Sequence, residues 1–125
     1  RILCSTSSSV KAALNDLILS NTFRMGVVGL AKTLSQELGP DNILVNVIGP
    51  GRVGTARIDQ LDQIRAQKEG LSVEELQHKA FHDIPLGRYG RPEEYGRMAA
   101  FLCSEANTYL TGQTLLMDGG MVKAY

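Results

Sequence analysis

Hydroxyls and one fixed positive charge are the reactive groups concentrated near the start of this chain. Ser5, Ser7, Ser8 and Ser9 crowd one short segment, Ser20 follows thirteen residues after Ser7, and Arg24 stands four after Ser20. Four residues apart on a helix is one face, so Ser20 and Arg24 would present a hydroxyl beside a guanidinium. A serine lacks the phenol's pKa near ~10 and passes a proton poorly at neutral pH unless a base adjoins it. Arginine can hold diol hydroxyls or a phosphate through its planar fork and stays charged. The plainer alternatives are turn chemistry for the serine cluster and solvent-facing helix positions for Ser20 and Arg24.

Other constellations are weaker. Ser8-Ser9-Val10-Lys11 fits the Ser-x-x-Lys pattern of penicillin-recognising hydrolases, but no Ser-Asp-Asn or Lys-Thr-Gly partner occurs in the chain. His78 and His82 share a helix spacing without a glutamate beside the first, so no zinc-protease motif forms, and no metal is expected. Cys4 and Cys103 lie in a predicted strand and a predicted helix and read as buried thiols. Thirteen basic and thirteen acidic residues give zero formal charge with no basic stripe, which argues against nucleic acid and anionic membranes as partners. With no apolar run of spanning length, a cytoplasmic protein is expected.

The elements that must position these groups read as strand, long helix, strand, loop with short helices, helix, strand, the alternation of a parallel sheet. Val27, Leu30, Ala31, Leu34 and Leu38 recur at three-to-four spacing and predict an apolar stripe on a helix over residues 12–38. Gly39-Pro40 is expected to end it, glycine taking the left-handed cap. Gly26 and Gly29 each weaken a helix by about 1 kcal/mol relative to alanine, which implies close backbone packing against the sheet or room for a cofactor or partner helix, packing being favoured. Residues 43–48 are aliphatic apart from Asn46, as expected for a strand covered on both faces. Gly49-Pro50-Gly51 then turns out at the strand's carboxyl end, where open parallel sheets bind ligands. Ser72 and Glu75 fit a capping box, and Pro92 fits a first helical position followed by Glu93 and Glu94.

Several blocks, in order, resemble the short-chain dehydrogenase/reductase family. Arg1-Ile2-Leu3-Cys4-Ser5-Thr6-Ser7-Ser8 is similar to the strand delivering the family's serine. Gly26-Val27-Val28-Gly29-Leu30-Ala31-Lys32-Thr33-Leu34-Ser35-Gln36-Glu37-Leu38 resembles the second half of its active-site helix, and residues 43–51 its next strand and Pro-Gly loop. Pro85-Leu86-Gly87-Arg88-Tyr89-Gly90-Arg91-Pro92 and Tyr109-Leu110-Thr111-Gly112-Gln113-Thr114 through Asp118-Gly119-Gly120 resemble its C-terminal signature. The resemblance implies an α/β fold, the C-terminal half of a Rossmann-type doubly wound parallel sheet with about three strands. Residues 1–125 would form that half, and the N-terminal dinucleotide-binding half, with its glycine-rich loop, would be absent.

The resemblance also implies roles. Family members use a serine to orient a carbonyl, a tyrosine to pass the proton, and a lysine to bind the nicotinamide ribose. Ser7 matches the serine position, Ser20 the tyrosine and Arg24 the lysine. Pro50, Gly51, Val53 and Thr55 match the loop around the nicotinamide carboxamide and pyrophosphate. Tyr89, Tyr95, Tyr109 and Tyr125 are the remaining phenols, and none has a basic residue four positions later. Residues 56–82 correspond to the family's substrate-covering segment.

Two functions are consistent with this. One is part of an NAD(P)-dependent oxidoreductase interconverting a small-molecule carbonyl and alcohol by hydride transfer at an atypical site, using NAD or NADP, the isolated fragment being inactive. The other is a catalytically silent relative serving assembly or binding. The resemblance implies a homo-oligomer, dimer or tetramer. Three strands alone leave an edge unpaired and apolar faces bare, so the isolated chain is expected not to remain a well-behaved monomer. Sedimentation and thermal melts across protein concentration test this, and a sharp, concentration-independent melt of a monomer counts against it.

Overall fold

Three parallel strands carry the architecture: β1 (Ile2–Ser5), β2 (Val45–Pro50) and β3 (Thr114–Met117), in the order β1-β2-β3. The computed structural model describes residues 1–124, so Tyr125 lies outside the described residues. The register sets Ser5 beside Ile48 and Pro50 beside Met117, which brings the carboxyl ends of all three strands to one rim. Right after β1, residues Ser8–Val10 make a single 3-10 turn.

Helix α1 (Ile18–Glu37) covers one face of the sheet. Ala31, Val45 and Val47 form the buried cluster there, with Cys4, Val28, Leu34, Leu38 and Ile43 packed around it. Strand side chains alternate between faces, so Asn46 and Ile48 point to the other side of β2. Against that side lies α4 (Pro92–Cys103), which opens with Pro92 at its first position as expected. The Arg91 amide donates to Glu94 at 2.7 Å, and Arg88 grips the same carboxylate through two bonds. Those bonds, Arg88 foremost, hold the Glu94 carboxyl far below the ordinary carboxylate range. Between β2 and α4 the chain forms α2 (Ala56–Glu69) and α3 (Val73–His82), which pack on each other. Ser72 and Glu75 close the expected capping box.

The long helix departs from its sequence pattern in four ways. It starts at Ile18, not near residue 12, because Asp16 takes a left-handed φ of 61° and the Asn21 amide donates to the Leu14 carbonyl, holding the preceding segment as a turn. Its buried stripe runs through Val28, Ala31, Leu34, Ser35 and Leu38, while Leu30 is 56% exposed. The left-handed position after it belongs to Asn42 (φ 58°), since Gly39 and Pro40 begin a second 3-10 turn. Finally, a Cβ at Gly26 or Gly29 would meet nothing within 4 Å, so sheet packing does not require either glycine. The thiols also differ from expectation: Cys4 is half-buried and Cys103, on the outer side of α4, is exposed.

Asn46, the one polar residue in the aliphatic run, is 1% exposed and works as a clamp. Its amide nitrogen donates to the Leu110 carbonyl at 2.6 Å, and its oxygen accepts from the Gln113 amide at 3.1 Å, fixing the approach to β3. Asn46→Val would leave the Gln113 amide without its partner and take one of two donors from the Leu110 carbonyl, which Asn107 also serves, at a cost of about 1–3 kcal/mol. Urea unfolding should show that loss as a lowered midpoint at unchanged slope; an unmoved midpoint contradicts the clamp.

Candidate active site

Sequence-predicted residues from three separate segments meet at the carboxyl-end rim. Thr6, buried directly after β1, donates its amide to the Ile48 carbonyl at 2.8 Å, extending the ladder by one residue. Ser7 follows, and its hydroxyl accepts from the Ser9 amide at 3.2 Å, capping the 3-10 turn. The Ser7 carbonyl lies against Gly49 so closely that a Cβ there would stand 2.8 Å from it. Gly49 therefore lets the serine segment and β2 pack backbone to backbone.

Helix α1 reaches the same place through one side chain. Arg24 donates from Nε to Ser20 Oγ at 3.0 Å and from Nη1 to the Thr6 carbonyl. One guanidinium thus joins the helix face to the residue beside Ser7. Other donors of the fork carry no hydrogen bond among the described residues. Ser7 and Ser20 share a feature that matters chemically: each oxygen accepts a bond from the protein, which leaves its own proton free to donate. A charged donor on Ser20 Oγ also strengthens what that hydroxyl gives onward. Three donors at one rim suit an oxygen that gains negative charge.

The turn at residues 50–55 completes the rim. The Gly51 amide donates to the Met117 carbonyl at 2.9 Å, and a Cβ at Gly51 would meet Asp118 Cβ at 2.7 Å, so the turn is pressed onto the end of β3. Val53 bridges to Gly90, with Gly54 donating to the Gly90 carbonyl and Gly90 to the Arg52 carbonyl, both at 2.9 Å. Thr55 caps α2, accepting from the Ile58 amide at 3.4 Å.

None of the described phenols takes the place of a proton relay beside Arg24. Tyr95 shares a 2.7 Å hydrogen bond with Ser5, Tyr109 is 97% exposed, and Tyr89 donates to Asp62 at 2.9 Å. The Asp62 side chain is 1% exposed and accepts from Arg52 at 3.1 Å and Gln77 at 3.3 Å as well. This group was not legible in the sequence: Asp62 sits among polar residues of α2 like any solvated acid. Thr6 and Gly49 also escaped, the first because it acts through its carbonyl, although Gly49 beside Pro50 was a signal of close approach.

A family profile described as Enoyl-(Acyl carrier protein) reductase matches residues 1–122. The chain belongs to the short-chain dehydrogenase/reductase family. It is 39% identical over 101 residues to a 3-oxoacyl-(acyl-carrier-protein) reductase, FabG, of Aquifex aeolicus, covering 81% of this chain and 36% of that protein. The structure of YwfH, an NADPH-dependent reductase involved in bacilysin biosynthesis, superimposes with a TM-score of 0.93 at 30% identity, over all of this chain and 48% of that one. L-sorbose reductase of Gluconobacter frateurii, complexed with NADPH and L-sorbose, gives 0.91 at 29% identity over 99% and 48%. The chain thus spans about a third to a half of these short-chain dehydrogenase/reductase relatives. Among the described residues no helix is long and apolar enough to cross a membrane.

Burial, then the bond to Asp62, raises the Tyr89 pKa above the ordinary phenol value of 10.0. A phenol whose pKa rises on folding stabilises the fold fully below its unfolded value, and that contribution fades as pH climbs through the folded value. Thermal stability should therefore fall in alkali above the ordinary phenol range, and Tyr89→Phe should flatten that part of the profile. Melts across alkaline pH that are identical for the two proteins would contradict it.

Proposed function

We propose that this chain supplies the substrate-side half of an NAD(P)-dependent short-chain oxidoreductase that interconverts a small-molecule carbonyl and its alcohol. The observation that carries the reading is Arg24, which draws Ser20 and the Ser7 segment together beside the turn at residues 50–55. The donor set fits a nicotinamide nucleoside: a guanidinium with spare N–H groups, two hydroxyls with free protons, and a Pro-Gly turn pinned by its own backbone. When bound, the nicotinamide would accept or deliver the hydride. The dinucleotide's adenosine end would be held by an N-terminal half outside residues 1–125, joined to this one in a single Rossmann-type domain.

In carbonyl reduction, Ser7 and Ser20 would donate to the oxygen as it becomes an alkoxide, while Arg24 keeps Ser20 oriented and supplies positive charge to the ribose side. Among the described residues no group with a phenol's pKa stands beside them, so the proton would come from water reaching the rim rather than from one of these side chains. Pro50, Gly51 and Val53 would shape the wall along the nicotinamide, and Thr55, with its hydroxyl proton free, would donate to the carboxamide or a phosphate. Support for a second copy as partner comes from the outer face of α1, where Ile18, Leu19 and Phe23 are 68–79% exposed.

Fluorescence titration of the intact protein, with whatever sequence precedes Arg1, should show saturable binding of NADH or NADPH. Arg24→Met should weaken it roughly tenfold, the loss expected for a charge-assisted contact. Ser20→Ala should leave binding within about twofold while lowering turnover, because its donor matters most as charge develops. Binding without turnover on any carbonyl favours the silent relative. Failure of the intact protein to bind either nucleotide ends the reading.

A further inference from the structure

We propose that Asp62 is a positioning residue that couples the α2–α3 segment to the turn at residues 50–55, so that whatever orders one orders the other. The cofactor side of this inference rests on the function proposed above; the mechanical coupling does not.

Three segments converge on a single buried carboxylate. Arg52 of the turn donates Nη1 to Asp62 Oδ1 at 3.1 Å, Gln77 of α3 donates to Oδ2 at 3.3 Å, and Tyr89 of the following loop donates to Oδ2 at 2.9 Å. Arg52 Nη1 also lies 3.3 Å from Tyr89 Oη, and its guanidinium sits 5.7 Å over the Tyr89 ring. Phe81, at the end of α3, meets that ring edge-on with centroids 5.1 Å apart. Asp62 is itself on α2, so the carboxylate holds α2, α3, the turn and the loop before α4 at one point.

A buried carboxylate cannot keep its charge without its donors, and a donor cannot leave alone without stranding it. Opening of α2–α3 away from the rim therefore requires Arg52 to lose its partner. Arg52 cannot shift freely either, because its carbonyl accepts from Gly90 and the neighbouring Gly54 amide donates back to Gly90. The turn, the loop and the helices consequently share one equilibrium between docked and undocked arrangements, and a ligand on the turn must shift that equilibrium in proportion to its preference for the docked form. Among the described residues the Asp62 side chain makes no hydrogen bond to residues 50, 51, 53 or 55, and it acts on them through Arg52.

Amide hydrogen exchange on the intact protein tests this. Asp62→Asn should speed exchange about fivefold or more, not only across residues 56–82 but also at Gly54 and Gly90, while the sheet amides of β2 stay protected. Arg52→Met should reproduce that pattern, and adding Asp62→Asn to it should add little, since the pair acts as one unit. Arg52→Lys should restore most of the protection, because the contact to Asp62 is a single Nη1 bond that an ammonium can replace; a role in packing alone would not separate lysine from methionine. If Asp62→Asn unfolds the chain, Tyr89→Phe, which removes one donor and keeps the ion pair, should show the same pattern in weaker form.

Faster exchange confined to α2–α3, with Gly54 and Gly90 unchanged, overturns the coupling, as does additive behaviour of the two variants. With nucleotide present, Asp62→Asn should raise the NADH or NADPH dissociation constant by a similar factor. An unchanged constant beside loosened Gly54 overturns the cofactor side. An intact protein that binds neither nucleotide sinks the proposed function instead, and the exchange data alone then decide the coupling.

Discussion

A guanidinium that donates into a backbone carbonyl at a strand end holds two elements to each other, and Arg24 does this for α1 and β1. The helix is also attached to the sheet by apolar contacts around Ala31, about three turns away from Ser20. Those contacts fix the distance between helix and sheet but leave the first turns of α1 free to splay. Arg24 removes that freedom by bonding Ser20 on its own helix and Thr6 on the neighbouring strand end together. The rim depends on this tie, because without it the two serine segments have no common frame.

What the tie produces is a set of donors rather than an acid–base pair. Ser7 accepts from Ser9 and Ser20 from Arg24, so both hydroxyl protons remain free to donate. Such a donor set suits charge that has formed on oxygen, and among the described residues no phenol stands beside it. The phenols cannot repair this locally: Tyr89 is committed to Asp62 and Tyr95 to Ser5.

Legibility in the sequence followed the strength of local signals. The aliphatic run of β2, the capping box of Ser72 and Glu75, and Pro92 at the head of α4 each restrict the backbone through their own chemistry, and each was found where expected. The start of α1 lies later than the sequence pattern places it because the left-handed backbone of Asp16 breaks the helix without any proline or glycine to announce it. Leu30 was misplaced for a related reason: spacing alone permits two adjacent stripes, and only packing on Val45 and Val47 selects the one through Val28 and Ser35. Asn42 displaced Gly39 from the left-handed position because Pro40 starts a new 3-10 turn before any cap can form. Of the site, the family resemblance singles out Ser7, Ser20 and Arg24 as candidates, whereas the bonds from Arg24 to Ser20 and Thr6 are not legible in the sequence. Asp62 was invisible, since burial of an acid on a polar helix depends wholly on donors ten to twenty-seven positions away.

The exposed apolar residues belong to the same physical account. A strand at a sheet edge offers unpaired backbone groups, and β1 and β3 are both edges here. The apolar residues Ile18, Leu19 and Phe23 at the start of α1 are all exposed on the helix that carries Arg24. Nothing in the packing of the described chain uses the open space over Gly26 and Gly29 either. Relatives about twice as long have more chain with which to cover such a surface. The rim is therefore built on the least covered flank of the fold: Arg24 stabilises it from within, and burial of α1's outer face would stabilise it from without. These two contributions are independent in origin, one polar and local, the other apolar and extended. They act on the same few turns of helix, so loosening either should be felt first at Ser20.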